Sequence, residues 1–283
     1  MTGTILAMFL VVGCISPTPT QKTFHPNGEV RPQTTPQAKP AIEAATTVVA
    51  DNEFARPASV PGECIIRYHN NYIVSYSEKN LIANWVAYQL TKEQTYGTGD
   101  RKKANMSFRQ DPSISVRQAD YTDYRGSGFV KGHMAPAADF KTDDEVMWET
   151  FYFPNCCPQP HDFNQGQWEE LERRVRGWAR NFGSIYLVTG TIIGEGKRGK
   201  IGANGVSVPD IVYKAVLASR KGQYQAIAFI MDNDDACPTF SQCVYTINEL
   251  EKVTGLDFFP ALDDSVEESV ESTYDLTFWQ ISR

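Results

Sequence analysis

The chain has 283 residues, 41% of them hydrophobic, and carries a formal net charge of −7 with a pI near 5.2. The hydrophobic content excludes a wholly disordered chain, and the acidic balance excludes a protein that is basic over its whole surface. The length suits one domain with an N-terminal extension.

The N-terminal residues 1–14 predict an export signal of the lipoprotein type. The apolar run over residues 5–12 is too short to span a bilayer as a helix. Residues 10–14 resemble a bacterial lipobox, which would make Cys14 the lipidated first residue of the mature protein, although no Lys or Arg precedes Lys22. We therefore expect an exported protein that is secreted, periplasmic or anchored in the outer membrane by its lipid.

Residues 15–61 are rich in Pro and Thr and predict a disordered linker. Residues 62–283 then predict one α+β domain around an antiparallel sheet with flanking helices. Strand-like runs of apolar residues predict strands at Cys64–Arg67, Tyr72–Tyr76, Trp85–Leu90, Ile185–Gly190, Ile211–Ala218 and Tyr224–Met231. Helices are predicted at Gln165–Asn181, Ile247–Thr254 and Ser265–Ser272, with Trp168, Val175 and Trp178 facing the core.

The charges are unevenly distributed along this domain. Residues 101–133 contain seven basic and three acidic side chains, whereas residues 246–283 contain nine acidic and two basic ones. A basic face opposite an acidic one would allow the protein to bind a polyanion. The candidate substrate-binding side chains are Arg101, Lys103 and Arg109.

Residues 124–139, YRGSGFVKGHMAPAAD, present one histidine between glycines and small residues. A neutral imidazole at His133 can accept a proton from water near neutral pH. Arg125 and Lys131 can neutralise the charge of a phosphate, so the segment suits phosphodiester chemistry. A buried, hydrogen-bonded histidine beside a Gly-rich turn is the structural alternative.

A second segment, residues 150–172, reads TFYFPNCCPQPHDFNQGQWEELE and ends in a predicted helix. Asn164, Trp168 and Glu172 are spaced by four residues, so they drift by only about 80° and share one helix face. An amide oxygen and a carboxylate are hard ligands that suit Mg²⁺. The alternative is that Asn164 is only a helix cap and Glu172 a solvated side chain.

Five cysteines follow Cys14. Cys237 and Cys243 close a short loop and predict a disulfide if the protein is exported. Cys64 could pair with Cys156 or Cys157. A zinc site made by Cys156, Cys157 and His161 is a further alternative, although its spacing matches no common structural zinc pattern.

Together these segments resemble the DNA/RNA non-specific endonuclease family, the ββα-metal or His-Me finger nucleases, which include secreted bacterial sugar-non-specific nucleases and mitochondrial endonuclease G. VTGTII at residues 188–193 and VTGLDFFPALDDSVE near the C-terminus extend the resemblance. It implies a ββα-metal motif with His133 as general base and Asn164 as a direct ligand of Mg²⁺, or alternatively Mn²⁺. It makes Glu172 an outer ligand acting through water and Asn155 an active-site positioning residue.

The sequence departs from the family where Asp-Arg-Gly-His is replaced by Val130, Lys131, Gly132 and His133. Valine cannot join the outer shell of a metal as the aspartate can, and lysine lacks the bidentate fork of arginine. The family's upstream phosphate-binding arginine corresponds in an ambiguous register to Arg101 or Lys103.

The predicted function is metal-dependent, sequence-non-specific hydrolysis of DNA and RNA to 5′-phosphate products. Contacts restricted to the phosphate backbone read no base edge, which is the reason to expect low specificity. A homodimer is expected from the resemblance, and contact with a membrane only through the lipid. Two alternatives are a surface-anchored nucleic-acid-binding module with weakened catalysis and a hydrolase of another phosphate ester.

Overall fold

The computed structural model describes residues 52–58, 64–102 and 105–282, and it is built around antiparallel strands. The described strands, in chain order, are β1 (Ile65–Tyr68), β2 (Ile73–Ser77), β3 (Ile82–Thr91), β4 (Val130–His133), β5 (Cys156–Gln159), β6 (Ser184–Ile192), β7 (Lys200–Ile201), β8 (Val206–Ser207), β9 (Ile211–Arg220), β10 (Gln223–Asp232) and β11 (Val244–Tyr245).

Seven of these strands form the central sheet in the order β1-β2-β3-β6-β9-β10-β11, with every neighbouring pair antiparallel. β4 pairs with β5, and β7 with β8, in two small separate sheets. The described helices are α1 (Tyr121–Tyr124), α2 (Asp144–Glu149), α3 (Glu169–Phe182), α4 (Ile247–Thr254) and α5 (Asp264–Glu271). The predicted α+β class with a central antiparallel sheet is confirmed.

The hairpin formed by β9 and β10 illustrates how the local sequence sets the register. Arg220 is paired with Gln223, so only Lys221 and Gly222 form the loop. Both have positive φ, 53° and 79°, which is the type I′ geometry that matches the twist of an antiparallel pair. The predicted turn between these strands therefore lies where expected.

The two faces of the sheet bury different sets of apolar side chains. Tyr88 and Val216 face α3 and belong to the larger core, which also contains Trp168, Val175 and Trp178 as predicted. The adjacent strand residues point to the other face, where α4 and α5 cover them. The sheet thus separates α3 from α4 and α5, which matters for the sites described below.

Two element boundaries differ from the predictions. The helix expected from Gln165 begins only at Glu169, because residues 164–168 form a wide helical turn in which Gly166 leaves helical geometry (φ −100°, ψ −110°).

The linker predicted at residues 15–61 includes residues that belong to the domain. Residues 52–55 form a helical turn, Asn52 Oδ1 accepts a hydrogen bond from Gln89 N (2.9 Å), and Ala55 is fully buried. These contacts make residues 52–58 part of the domain.

The export signal, Cys14, Lys103 and the remainder of the predicted linker lie outside the described residues. Within the described part of the chain, no helix combines the length and apolar character needed to cross a membrane.

Candidate active site

His133 ends β4, where antiparallel pairing places it opposite Cys156 of β5. Its ring lies 4.7 Å from the ring of Phe108 and 5.0 Å from that of Phe151, which it meets edge-on. The Nε2 atom is buried, and no described residue hydrogen bonds to it. Burial, and then the positive charge of Arg101, lowers the pKa of His133 from 6.5 to about 3. The free imidazole is therefore neutral near pH 7, and an anionic phosphate beside Arg101 would raise its pKa toward the range of a general base.

Asn155 holds the loop that follows His133. Its Oδ1 accepts a hydrogen bond from Ala135 N, and its Nδ2 donates to the carbonyl oxygens of Ala135 and Thr150, each at 2.9 Å. The side chain is fully buried and does not line the cleft beside His133. Asn155 thus holds the backbone of Ala135 beside His133 and links it to Thr150, so its side-chain hydrogen bonds all go to backbone atoms.

Asn164 follows a single helical turn, His161–Phe163, and opens the wide turn that leads into α3. Its Nδ2 donates to Gln159 Oε1 at 2.6 Å, which leaves the side-chain oxygen Oδ1 as an acceptor or ligand. Gln159 is fully buried on β5 and lies against Gly132. The amide orientation of Asn164 is therefore set by the strand pair that carries His133.

Glu172 lies one turn into α3 and faces a group of buried charges. Burial raises the pKa of Glu172 and lowers that of Lys214, although each charge opposes the shift of the other. Asp139 accepts hydrogen bonds from Arg176 Nη1 (3.0 Å) and Tyr88 OH (2.8 Å) beside them. The carboxylate of Glu172 is held among charges of both signs rather than in free solvent.

A cleft of about 540 Å³ brings the predicted chemistry together. The predicted site residues that line it are His133, Asn164, Glu172 and Arg101. Arg101 is exposed, and its guanidinium lies 5.1 Å from the centre of the Phe151 ring. His133 comes from β4, Asn164 from the turn before α3, Glu172 from α3 and Arg101 from a loop. Together, β4, β5 and α3 form a ββα unit.

Three basic residues predicted for the site do not line the cleft. The guanidinium of Arg109 is stacked 4.1 Å from the Trp148 ring and 4.6 Å from the Tyr152 ring. Lys131 Nζ lies about 5 Å from the rings of Tyr121 and Tyr124, and Arg125 is exposed beyond α1. Arg109 and Lys131 are held by contacts with aromatic rings. These rings come from other segments of the chain, so a linear motif does not predict the contacts.

Sequence reasoning missed Arg176, Asp139, Lys214 and Gln159. Arg176 had a detectable signal, since it follows Glu172 by four residues and so shares its helix face. Lys214 also had a signal, since it is a charged residue in the apolar interior of a strand that ends at Arg220. Gln159 and Asp139 occur in segments that carry the resemblance, but their contacts depend on strand pairing and on α3.

The disulfide between Cys237 and Cys243 stays a prediction. The two thiols are not joined in this structure, but they lie close enough to hydrogen bond, and Cys64, Cys156 and Cys157 are free as well. Zinc binding by Cys156, Cys157 and His161 is wrong, because both thiols are buried in β5 while His161 is exposed. In the described part of the chain, these three side chains do not converge as metal ligands.

Comparison with known proteins agrees with this geometry. Residues 51–265 match the family described as DNA/RNA non-specific endonuclease. The chain is 35% identical over 215 residues to the mitochondrial nuclease EXOG of Xenopus laevis, covering 70% of this chain and 59% of that protein. It is 33% identical to human mitochondrial endonuclease G, covering 71% of each, and 33% identical to nuclease C1 of Cunninghamella echinulata, covering 69% and 82%.

A solved structure of EndoG in complex with EndoGI superposes with a TM-score of 0.67 and 29% identity, covering 80% of this chain and 95% of that one.

The mitochondrial relatives overturn the expected localisation, which was that of a bacterial protein that is periplasmic, secreted or anchored by a lipid in an outer membrane. That expectation rested on residues 1–14, which lie outside the described residues.

Proposed function

The chain belongs to the DNA/RNA non-specific endonuclease family, and from this membership we propose that it hydrolyses phosphodiester bonds of both DNA and RNA. The observation that carries the proposal is the cleft in which an uncharged His133 meets Asn164 and Glu172. The matched region spans only 59% of the Xenopus EXOG, so the activity is proposed for this chain rather than transferred from that protein.

The family is metal-dependent, and the residues of the cleft fit a divalent ion. The Asn164 side-chain oxygen is free because its amide nitrogen is engaged by Gln159, and the Glu172 carboxylate lines the same cleft. We propose that Asn164 binds Mg²⁺ directly and that Glu172 binds it through water. Such an ion, when bound, neutralises charge on the phosphate and on the departing oxygen. Mn²⁺ as a substitute and a homodimeric state remain predictions of the resemblance.

The chain's own residues supply the rest of the chemistry. His133 accepts a proton from a water molecule as that water attacks phosphorus. The bond from phosphorus to the 3′ oxygen breaks, and this oxygen takes a proton from solvent water, which leaves a 3′-hydroxyl and a 5′-phosphate. Arg101 lies at the cleft edge, where its charge can neutralise a phosphate oxygen. Asn155 keeps the loop after His133 in place. These groups address the backbone of the substrate, which favours low sequence specificity.

The test compares His133→Ala with His161→Ala, a change at an exposed histidine away from the cleft. Cleavage of supercoiled plasmid and of RNA is measured with Mg²⁺ and with a chelator. Loss of a general base should lower the rate by about 10²–10⁴-fold for both substrates, whereas His161→Ala should behave as wild type. Circular dichroism checks that both variants are folded.

Three results would contradict the proposal. Near-normal turnover by His133→Ala would remove the assigned base. Binding of nucleic acid without cleavage by the wild-type protein would favour a binding module. Turnover of small phosphate esters alone would favour a different hydrolase.

A further inference from the structure

A group of carboxylates lies on the face of the sheet opposite the cleft. α4, the loop after it and α5 bring Glu251, Asp257 and Glu271 together, and one ligand oxygen from each lies within 4.8 Å of the others. Oxygen ligands lie roughly 2.3–2.6 Å from Ca²⁺, so two of them on opposite sides of the ion are about 5 Å apart. The three oxygens can therefore surround a single ion of this size.

Glu271 distinguishes this group from ordinary surface acids. The residue is only 7% exposed, and its Oε1 is shielded from solvent without a hydrogen-bond partner among the described residues. A buried carboxylate oxygen normally has a partner, because leaving it unpaired costs free energy. One oxygen of this buried carboxylate lies in the group with Glu251 and Asp257, so the side chain is directed into it.

The surrounding charges do not supply the missing partner. Burial raises the pKa of Glu271 to about 8, and the neighbouring charges that act on it are all acidic, from Glu251, Glu267 and Asp257. Glu267 precedes Glu271 by one helical turn, and its Oε1 is also buried without a described hydrogen-bond partner. A cation would relieve this repulsion.

The group is also fixed in position before any ion binds. Glu251 Oε1 accepts a hydrogen bond from Phe258 N at 2.9 Å, which holds that carboxylate against the loop. Asp257 is held through its backbone, since its carbonyl oxygen accepts from Ala58 N at 2.8 Å. The ligands come from α4, the loop and α5, so one ion would join all three segments.

We propose that Glu251, Asp257 and Glu271 bind a Ca²⁺ ion at a structural site separate from the cleft. Ca²⁺ is favoured because it accepts carboxylates in one- or two-oxygen modes and in flexible geometry, whereas Mg²⁺ requires near-ideal octahedral coordination. The bound ion stabilises the layer formed by α4 and α5 on the sheet.

The experiment uses the full chain, freed of metal by chelation and then titrated with CaCl₂ by calorimetry and by thermal unfolding. The wild-type protein should bind one Ca²⁺ outside the cleft, and its Tm should rise by roughly 5 °C at saturation. Glu271→Gln, of nearly the same shape, should lose both effects. Glu268→Gln, at an exposed acid of the same helix, should retain them.

Asn164→Ala removes the proposed metal ligand of the cleft and serves as the second control. This variant should keep the Ca²⁺-dependent rise in Tm. The proposal is overturned if the wild-type Tm does not respond to CaCl₂, or if the response survives in Glu271→Gln and disappears in Asn164→Ala. If CaCl₂ does not change the Tm of the wild-type protein and the Glu271→Gln substitution raises it, the carboxylates share a proton instead of binding an ion.

Discussion

Gly132 determines how the strand carrying His133 meets the turn carrying Asn164. A Cβ at this position would overlap the side-chain amide of Gln159, the group that accepts a hydrogen bond from Asn164. The absence of a side chain at Gly132 therefore allows the amide of Asn164 to be oriented. Space, rather than unusual backbone geometry, is the reason for glycine here.

We predict that Gly132→Ala weakens activity by displacing Gln159. Loss of a group that orients a metal ligand typically costs 10–100-fold in metal affinity or activity. Cleavage rates measured over a range of Mg²⁺ concentrations should show that the variant needs more metal than wild type. Gly177→Ala on α3 is the control, because a Cβ there meets nothing within 4 Å. It should leave activity unchanged and stabilise the helix by about 1 kcal/mol. Unaltered metal dependence in Gly132→Ala would argue against this role for Gln159.

At this scale, the sequence predicted which reactive side chains line the cleft but not where every basic side chain lies. His133, Asn164 and Glu172 were predictable from the motifs that carry the resemblance, and their chemical roles stay predictions. Arg109 and Lys131 were not, since their positions depend on aromatic side chains that come from α1, α2 and the segment after α2. A basic residue beside a motif can be held by an aromatic ring as readily as by a phosphate.

Among the elements, the long strands were the most predictable. Continuous apolar runs located β9 and β10 within two residues, because both faces of the central sheet are buried against helices. The wide turn at Asn164–Trp168 was not predicted, since its apolar spacing is also that of a continuous helix. Its geometry changes where α3 begins and so places Asn164 at the cleft.

The helix α5 gives an expected pH dependence of stability. Glu271 has a pKa of about 8 in the fold against an ordinary value of 4.5, so the fold favours its protonated form. In the absence of Ca²⁺, this contribution to the free energy of unfolding is fully present below pH 4.5 and is lost as pH rises through about 8.

Urea unfolding in chelator between pH 5 and 9 measures this effect. The stability of Glu271→Gln relative to wild type should increase with pH across that range, because glutamine cannot ionise. Glu268→Gln should show no such trend. A constant difference between Glu271→Gln and wild type would mean that Glu271 ionises as an ordinary glutamate does.

Over the whole molecule, the sheet separates two electrostatic environments. The cleft is lined by Arg101, Lys141 and Arg176 together with its acids, whereas α4 and α5 carry the acidic C-terminal region on the other face. A net charge of −7 is thus compatible with a polyanionic substrate, because the excess acid lies away from the cleft. The sequence predicted this division in outline, but only the fold assigns the acidic helices to the opposite face.

This arrangement predicts which arginine controls the salt dependence of binding. In a His133→Ala background that does not cleave, the logarithm of the Kd for a short duplex is measured against the logarithm of salt concentration. Arg101→Ala should weaken binding to all sequences similarly and reduce the slope by about one, because one phosphate contact is lost. Arg125→Ala should leave the slope unchanged, since Arg125 is exposed but outside the cleft. A reduced slope for Arg125→Ala with a normal slope for Arg101→Ala would place the substrate on another surface. The slope depends on counterion release, which comes only from charges that contact the phosphate backbone.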